Sequence, residues 1–268
     1  MIKHIPFLRP GPKVGVIRLQ GIIASGPGPG RLSDAALAPL VEKAFRRGKP
    51  KAVALVINSP GGSPVQSSLI GARIRRLSEE KGIPVHAFVE DVAASGGYWL
   101  AAAADQIWVD PNSIVGSIGV ISSGFGLNKF ISRHGIERRV HTAGESKSML
   151  DPFQPEKDED VARLKTLQGQ IHDSFIDHVK SRRGDRLASD RDLFTGDIWV
   201  GERAREIGLV DGVAHVVPKM KELFGDEVRF ISYQQKKPLL SRLGARVVGD
   251  ALSEFEDRAA YARFGVQP

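Results

Sequence analysis

Apolar positions along the first 110 residues predict repeated strand and helix units. Lys13 to Leu19 alternates apolar and polar residues, as expected of a first strand. Ala52 to Ile57 is a continuous apolar run, which is typical of a parallel strand buried on both faces. Two further runs, Val85 to Val89 and Gln106 to Val109, also predict strands. The strands recur often enough to suggest one continuous sheet.

Between these predicted strands, apolar residues recur at helical spacing and predict helices. Ser33 and Asp34 are expected to cap a helix that runs to about Arg47, and a second helix is predicted from Val65 to Glu80. A third covers Ser95 to Ala104. Three strand and helix alternations within about ninety residues predict an α/β fold with a parallel sheet.

The pattern is less regular after residue 110. Ile114 to Ser122 carries glycines and predicts a strand or a turn. A short helix is expected at Phe125 to His134 and a strand at Glu137 to Thr142. Glu156 to Arg182 has an apolar stripe typical of a long amphipathic helix, for which core packing is the default interpretation.

A change of composition marks the C-terminal end. Pro238 to Phe264 predicts an amphipathic, partly basic helix. Its apolar side could pack on the domain, contact a partner subunit or bind an acidic membrane surface, and the residues do not separate these three possibilities.

Charge and composition narrow the function classes. The 268 residues carry a formal net charge of +7, which on its own would suit nucleic acid or an acidic membrane surface. No RNA-binding signature, zinc-ligand spacing or aromatic platform accompanies the charge, so a nucleic-acid partner and a bound metal are not expected. The absence of cysteine excludes disulfides and thiolate chemistry.

The most informative stretch for chemistry is Asp91 to Trp99, in which a predicted strand ends at a small-residue turn and a predicted helix begins. Ser95 would lie at the start of that helix, where backbone N–H groups are free to bind an oxyanion. Small neighbours would let a substrate approach, which suits a nucleophilic serine. The competing interpretation is that Ser95 is an ordinary helix N-cap beside a Gly-Gly turn.

A serine nucleophile needs a base, and the histidines offer no obvious one. His86 lies within an apolar run and is expected in the core, and the others are scattered in charged or helical surroundings. Lys147 lies in a Gly-Ser loop, where a solvated surface cation is the ordinary interpretation.

Four blocks of small and apolar residues follow one another along the chain, and Lys147 in the last block follows Ser95 in the second by 52 residues. The blocks are Val56-Ile57-Asn58-Ser59-Pro60-Gly61-Gly62, Ala93-Ala94-Ser95-Gly96-Gly97-Tyr98, Ile114-Val115-Gly116-Ser117-Ile118-Gly119-Val120 and Gly144-Glu145-Ser146-Lys147. In this order they resemble the signal peptide peptidase A family, also called protease IV, whose catalytic unit is a serine–lysine dyad. The similarity runs from about Val14 to Val213.

The resemblance implies a role for each of five residues. Ser95 would be the nucleophile, Lys147 the general base and Ser117 the hydroxyl that orients the lysine. Gly62 and Gly96 would supply backbone N–H groups to an oxyanion hole, with no metal and no cofactor. The fold would be of the Clp/crotonase-like group, with a parallel-sheet core, long C-terminal helices and assembly into a homo-oligomer.

The resemblance also suggests a division of the chain and a location. Residues 1–12 would be a tail, 13–235 the serine–lysine peptidase domain and 236–268 an amphipathic helical extension. Leu193 to Trp199 would return to the sheet edge. Many family members carry an N-terminal anchor, but Met1 to Pro10 is too short and proline-broken for a signal peptide or a span. The cytoplasm is therefore the expected location, with peripheral membrane association as a possibility.

A base at position 147 carries a physical requirement. The pKa of a lysine must fall from about 10.4 to roughly 7–8 for it to accept a proton near neutral pH, and burial without a carboxylate partner has to lower it. We therefore expect Lys147 to be buried in the folded or assembled protein, with Glu145 turned away from it.

Three functions are compared on this basis. The first is a serine endopeptidase acting on signal peptides or on other unfolded or membrane-derived peptides. The second is an inactive scaffold or adaptor that works with a membrane partner. Acyl-CoA chemistry of the crotonase type is less favoured, because that group supplies carboxylates where this chain has Ser95 and Lys147.

Overall fold

The computed structural model of the chain describes residues 11–26, 30–144, 146–235 and 257–267. These residues form two compact units. The sheet unit contains the described residues up to Ile118 and from Asp177 onward, and the inserted unit is Gly119–Ile176. The domain division expected from the sequence remains a prediction, since most of 1–12 and of 236–268 lies outside the described residues.

The sheet unit is built on a mostly parallel β-sheet. The strands are β1 Lys13–Gln20, β2 Ala52–Ser59, β3 Val85–Ala94, β4 Gln106–Val109, β5 Ile114–Gly116, β6 Ile198–Val200, β7 Gly212–Val213 and β8 Arg229–Tyr233. The strand order is β6-β5-β3-β2-β1-β8, and β4 pairs with both β3 and β7. Every strand pairing is parallel except that of β5 with β6. The predicted α/β class with a parallel sheet is therefore confirmed.

The helices begin and end close to the predicted positions in the first half of the chain. Ser33 caps the first helix, because its side chain accepts a hydrogen bond from Ala36 N at 3.4 Å. The second helix ends at Gly82 in the left-handed conformation that glycine favours. The helices are α1 Asp34–Arg46, α2 Pro64–Lys81, α3 Gly96–Ala102, α4 Asn128–Arg133, α5 Asp158–Arg183, α6 Gly201–Glu206 and α7 Val216–Phe224.

The two faces of the sheet are covered by different elements. Gly15 of β1 lies against Ala44 of α1, and α2 packs between α1 and α3. Because side chains alternate along a strand, Val14 and Val16 point to the opposite face. There they form an apolar cluster with Phe88 of β3 and Met220 of α7.

Strand β3 continues five residues beyond the predicted end at Val89. Glu90 and Asp91 interrupt the apolar run, which is why the sequence pattern stopped there. Both acids have partners in other strands of the sheet: Arg18 of β1 donates to Glu90 at 2.8 and 3.1 Å, and Asn58 Nδ2 of β2 donates to Asp91 at 2.6 Å. The added segment pairs with β5 and delivers the chain directly to Ser95.

One predicted strand is wrong. Residues 137–142 adopt no strand, and no strand among the described residues pairs with them. Their polar side chains bond locally, since Arg139 pairs with Glu137 and Arg138 with Asp151 of the same unit. An apolar and polar alternation predicts a strand only where a neighbouring strand can satisfy its backbone. The short helix expected at Phe125 to His134 starts later, at Asn128.

The described part of the C-terminal extension packs on the sheet unit. Residues 257–262 are helical, and the Tyr261 side chain is fully buried against Val92 and Ala94 of β3. The remainder of the amphipathic helix predicted from Pro238 lies outside the described residues. In the parts of the chain that the structure describes, no helix combines the length and the apolar character that crossing a membrane requires.

Candidate active site

Ser95 occupies a strained turn between β3 and α3. Its backbone has φ 52° and ψ −121°, a conformation that costs a residue with a side chain about 1–3 kcal/mol. The turn is held from both sides, because Ser95 N donates to Gly116 O at 2.8 Å and Trp99 N donates to Ser95 O at 3.0 Å. Ser95 is partly exposed although Ala94 and Gly96 are buried. The strain therefore presents this one side chain at the surface.

The Ser95 hydroxyl does not cap the helix that it precedes. Its side chain makes no capping hydrogen bond. Ser33 and Ser63, which precede α1 and α2, each accept a backbone N–H at 3.4 Å. The interpretation of Ser95 as an ordinary N-cap is therefore wrong, and its hydroxyl remains available for other chemistry.

The Gly61-Gly62 turn lies directly against Ser95. A Cβ at Gly61, which has φ +100°, would be 2.9 Å from Ser95 Cβ and 2.8 Å from Gly96 N. A Cβ at Gly96 would be 3.4 Å from Gly62 N. The turns that carry the two expected oxyanion N–H groups are thus in van der Waals contact, at positions where no larger residue fits.

The two backbone N–H groups are also unused. No acceptor for the N–H of Gly62 or of Gly96 is found in the described part of the chain. Next to Gly62, Ile23 N donates to Gly61 O and Ser63 N donates to Ile23 O, so the turn is fixed by its neighbours. Two free amides beside an uncapped hydroxyl can bind the oxygen of a carbonyl group.

Ser59 holds the glycine turn in place, and sequence reasoning did not single it out. Its buried hydroxyl donates to Gly21 O at 2.7 Å and accepts from Gly61 N at 3.2 Å. Ser59 connects β1 to the turn that follows β2. The sequence signal that could have identified Ser59 is its position inside the block from Val56 to Gly62.

Ser117 lies one residue after the acceptor of the Ser95 amide. Its backbone is also at positive φ, 51°, and its N–H donates to Asp197 O at 2.7 Å. The aromatic ring of Trp199 in β6 covers Gly116, where a Cβ would be 2.7 Å from the ring. The sheet unit therefore brings Ser95, Ser117 and the glycine turn together, although their blocks are far apart in sequence.

Lys147 belongs to the inserted unit. It lies in a turn in which its N–H donates to Gly144 O at 3.2 Å, and Arg163 of α5 donates to the neighbouring Ser146 hydroxyl at 2.7 Å. The residue lines an open depression of about 370 Å³ together with Met149. Glu145 lies outside the described residues.

The burial expected of Lys147 is not found in the single chain, where this residue is exposed. The expectation allowed for burial in the folded chain or in an assembly, and only the second now remains. The assignment of Lys147 as a base therefore stays a prediction.

His86 is buried in the sheet unit, and His178 is half-buried there. His86 is in the core, as predicted, next to Phe224 of α7. His178 of α5 stacks on Trp99 with ring centroids 4.4 Å apart, and its Nε2 lies 3.0 Å from Trp99 O. Burial is the main cause that lowers the pKa of each. The contact of His178 with α3 was not predicted, because it joins elements about eighty residues apart.

Metal binding has no support in the part of the chain described here. No group of three or more histidine, aspartate or glutamate side chains among those residues could hold a metal ion.

Comparison with known proteins identifies similar sequences. A family model described as "Peptidase family S49" matches residues 78–224, which is more than half of the chain. The chain is 29% identical over 254 residues to the chloroplastic serine protease SPPA of Arabidopsis thaliana, covering 88% of this chain and 37% of that protein. It is 32% identical over 208 residues to protease 4 of Haemophilus influenzae, covering 75% of this chain and 32% of that protein.

A further relative carries a different name. The chain is 45% identical over 272 residues to a protein of Brucella melitensis named Na(+)/H(+) antiporter NhaA, covering 95% of this chain and 37% of that protein. The chain thus spans between 32% and 37% of the length of the relatives compared here. Most of each relative lies outside the matched region.

Proposed function

This chain belongs to peptidase family S49, as its resemblance to the signal peptide peptidase A family predicted, and on that premise we propose that it is a serine endopeptidase with Ser95 as its nucleophile. The observation that carries the proposal is the state of the Ser95 turn. A serine at φ 52° stands partly exposed, caps no helix, and lies against two backbone amides that have no acceptor among the described residues. Structural strain of this kind persists where the surroundings enforce it, often at catalytic sites.

The proposed reaction begins with attack of Ser95 Oγ on the carbonyl carbon of a peptide bond. Lys147 Nζ, in its neutral form, accepts the hydroxyl proton while the carbonyl oxygen becomes an oxyanion. The N–H groups of Gly62 and Gly96 donate hydrogen bonds to that oxyanion, where each donor is worth several kcal/mol, about 2.7–4 in comparable sites. Collapse of the intermediate breaks the C–N bond, and the ammonium of Lys147 gives its proton to the leaving amine.

The second half of the reaction releases the acyl group. Water loses a proton to neutral Lys147 and attacks the ester carbonyl, the same two amides hold the oxyanion, and the proton returns to Ser95 Oγ as the acid product leaves. In this scheme Ser117 positions the amine of Lys147. The support for that role is its place beside the Ser95 turn, one residue after Gly116.

The proposal requires an assembly. Lys147 is exposed in the single chain, which therefore does not provide the desolvated surroundings that the proposed base needs. We therefore propose that the active form is a homo-oligomer, which the resemblance also implies. In that assembly, contacts between subunits would bury Lys147 away from solvent. A fold of the Clp/crotonase-like group is consistent with the parallel sheet and its β3-to-α3 turn.

The proposed substrate class rests on the family resemblance alone. Signal peptides and other unfolded or membrane-derived peptides are proposed because the family resemblance implies them. The proposed location is the cytoplasm, with peripheral membrane association, which cell fractionation would test.

The decisive experiment is hydrolysis of an unfolded casein substrate by the purified chain. Ser95→Ala and Lys147→Ala should each lower the turnover number by at least about 10³-fold, because each removes a group that takes part in bond making. Lys147→Arg should not rescue, since a guanidinium cannot release its proton at neutral pH. A fluorophosphonate probe should add its mass to Ser95 in the unmodified chain.

Matched controls are available in α4 of the inserted unit. Ser132→Ala and Lys129→Ala remove a serine and a lysine whose surroundings are exposed, and both variants should keep full activity. Turnover that survives Lys147→Ala would exclude the dyad, and turnover that survives Ser95→Ala would exclude Ser95 as nucleophile.

A second candidate function is a scaffold or adaptor without turnover that works with a membrane partner. The similarity to the Brucella melitensis protein named as an antiporter favours it, although the match covers 37% of that protein and does not say which part carries the named activity. If this function is correct, the chain will not react with the fluorophosphonate probe and will not cleave casein. The chain and its Ser95→Ala variant should then bind the same membrane partner equally well.

A further inference from the structure

The C-terminal segment places one buried hydroxyl between two backbone segments near Ser95. Tyr261 Oη donates to Asn58 O at 2.6 Å and accepts from Gly21 N at 3.1 Å. The side chain is fully buried. Burial is the first cause that raises the pKa of Tyr261 to about 12, so the phenol keeps its proton and remains a donor across the neutral range.

Asn58 is the point from which the glycine turn departs. It is the seventh residue of the eight in β2 and precedes Ser59, whose hydroxyl bonds both Gly21 O and Gly61 N. Gly21 N also donates to Asn58 O, at 3.0 Å. Tyr261, Gly21, Asn58 and Ser59 thus form one hydrogen-bonded group at the base of the turn that ends in the free amide of Gly62.

The ring of the same tyrosine packs on the other arm of the site. It contacts Val92 and Ala94, in the added segment of β3 that ends one residue before Ser95. Phe264 and Val266, from the same C-terminal segment, cover this cluster. A single side chain therefore touches both the strand that leads to Ser95 and the strand that leads to Gly62.

This segment also completes a layer of the sheet unit. Along β3, Phe88 packs in a cluster with Met220 of α7, the partly exposed ion pair of Arg18 with Glu90 follows, and Tyr261 packs against Val92 and Ala94. Without residues 257–267, Val92 and Ala94, at the end of β3 that leads to Ser95, would lose this apolar cover.

We propose that Tyr261 is a positioning residue that sets the distance between the Ser95 turn and the Gly62 amide, and that residues 257–267 are part of the peptidase site. The inference rests on the proposed function of Ser95, Gly62 and Gly96. Its physical reason is that an oxyanion hole acts only when its two donors are held at hydrogen-bond distance from one oxygen position, and a misplacement near 1 Å can cost about 10²-fold in rate.

The test is Tyr261→Phe, which removes the hydroxyl and keeps the ring. The turnover number on an unfolded casein substrate should fall by about tenfold with little change in KM, because the donors serve the oxyanion and not the bound substrate. The rate of fluorophosphonate labelling at Ser95 should fall with it. Both are measured well below the thermal midpoint of each variant.

Tyr233→Phe is the matched control. Tyr233 is also a buried tyrosine of the sheet unit, at the end of β8, and its hydroxyl has no hydrogen-bond partner among the described residues. Its variant should keep turnover and labelling within about twofold of the unmodified chain. A fall in both tyrosine variants alike would show a general effect of core change and overturn the inference.

Two further outcomes are distinguishable. If Tyr261→Phe lowers the thermal midpoint but leaves turnover and labelling within about twofold at a temperature where the variant is folded, its role is structural only and the inference fails. The Ser95→Ala variant is assayed in parallel. If it retains turnover, the proposed function itself fails. Loss in Ser95→Ala with no loss in Tyr261→Phe overturns only the positioning role.

Discussion

At the scale of single residues, two backbone conformations decide what the site can do. Ser95 holds a positive φ that a serine adopts only under constraint, and Gly61 holds a positive φ at a position where an added carbon would collide with Ser95. The two conformations depend on each other, because the Ser95 turn can pack at this distance from residue 61 only if residue 61 has no side chain. Position 61 therefore requires glycine for two reasons: a side chain would collide with Ser95, and the backbone φ is positive.

Gly61→Ala should abolish peptidase activity. The new Cβ would lie 2.7 Å from Ala94 O and 2.9 Å from Ser95 Cβ, so the turn must shift and the two amides separate. We expect a fall in turnover of at least about 10²-fold, measured on casein.

Gly82→Ala tests whether positive φ alone explains such a loss. Gly82 ends α2 at φ 60° with no atom within 4 Å of its would-be Cβ. This variant should lose about 1 kcal/mol of stability and keep its activity. Equal activity in the two glycine variants would contradict the crowded geometry.

At the scale of elements, α5 supports the helix that begins at the site. The C-terminal end of α3 leaves backbone carbonyls without helical partners. Arg182 of α5 donates to Ala102 O and to Ala104 O, both at 3.1 Å, while His178 of the same helix stacks on Trp99. A cation at a helix C-terminus also interacts favourably with its dipole. Helix α3 is thus held at the end opposite Ser95.

His86, which is buried, and His178, which is half-buried, make the stability of the folded chain depend on pH. Burial lowers the pKa of His86 and of His178 in the folded chain; Asp105 opposes it at His86, and Lys219 and Arg182 add to it at His86 and His178 respectively. In the unfolded chain both titrate near their ordinary value of about 6.5. The unfolded state therefore binds more protons, so stability is complete above about pH 6.5 and is lost as pH falls through the lowered folded values.

We expect the urea midpoint of the chain to fall between pH 7.5 and pH 5. Asp34 and Asp211, whose pKa values are held below their ordinary range, titrate under this window and add little to it. His178→Gln removes one of the two titrating groups and should make the fall shallower. A midpoint that does not move between these pH values, or a slope unchanged in the variant, would contradict this account.

At the scale of the whole molecule, the inserted unit carries several exposed large apolar side chains. Four of its large apolar side chains are more than half exposed, which is a common mark of an interface. They are Ile121 at 66%, Phe125 at 86%, Phe130 at 60% and Ile136 at 55%. Together with the exposed Lys147, they support the proposed homo-oligomer.

The double variant Phe125→Ser and Phe130→Ser should shift the particle mass to a smaller species in multi-angle light scattering. Peptidase activity should fall by at least about tenfold in parallel, because the proposed base would lose the desolvated surroundings that the assembly supplies. Val217→Ser, which changes a 45% exposed side chain of α7, is the control and should alter neither property. An unmodified chain that is monomeric and fully active would contradict the proposal.

Local patterns predicted the strands and helices of residues 13–109 well, because hydrophobic periodicity and caps are recorded in neighbouring residues. The same reasoning ended β3 too early at Glu90 and placed a strand at 137–142 that does not form. Both errors have one cause. Whether a polar residue can stay in a strand, or an alternating segment can become one, depends on a distant partner such as Arg18, which neighbouring residues do not reveal.

The sequence by itself determined the family, the α/β class and the candidates for the site, because ordered motifs and periodicity are properties of the chain alone. Only the tertiary structure decided that the Ser95 hydroxyl caps nothing, that Gly61 touches it and that Tyr261 reaches the base of the glycine turn. These facts are distances between residues that lie up to 240 positions apart. Folding creates such distances, and a linear pattern does not contain them.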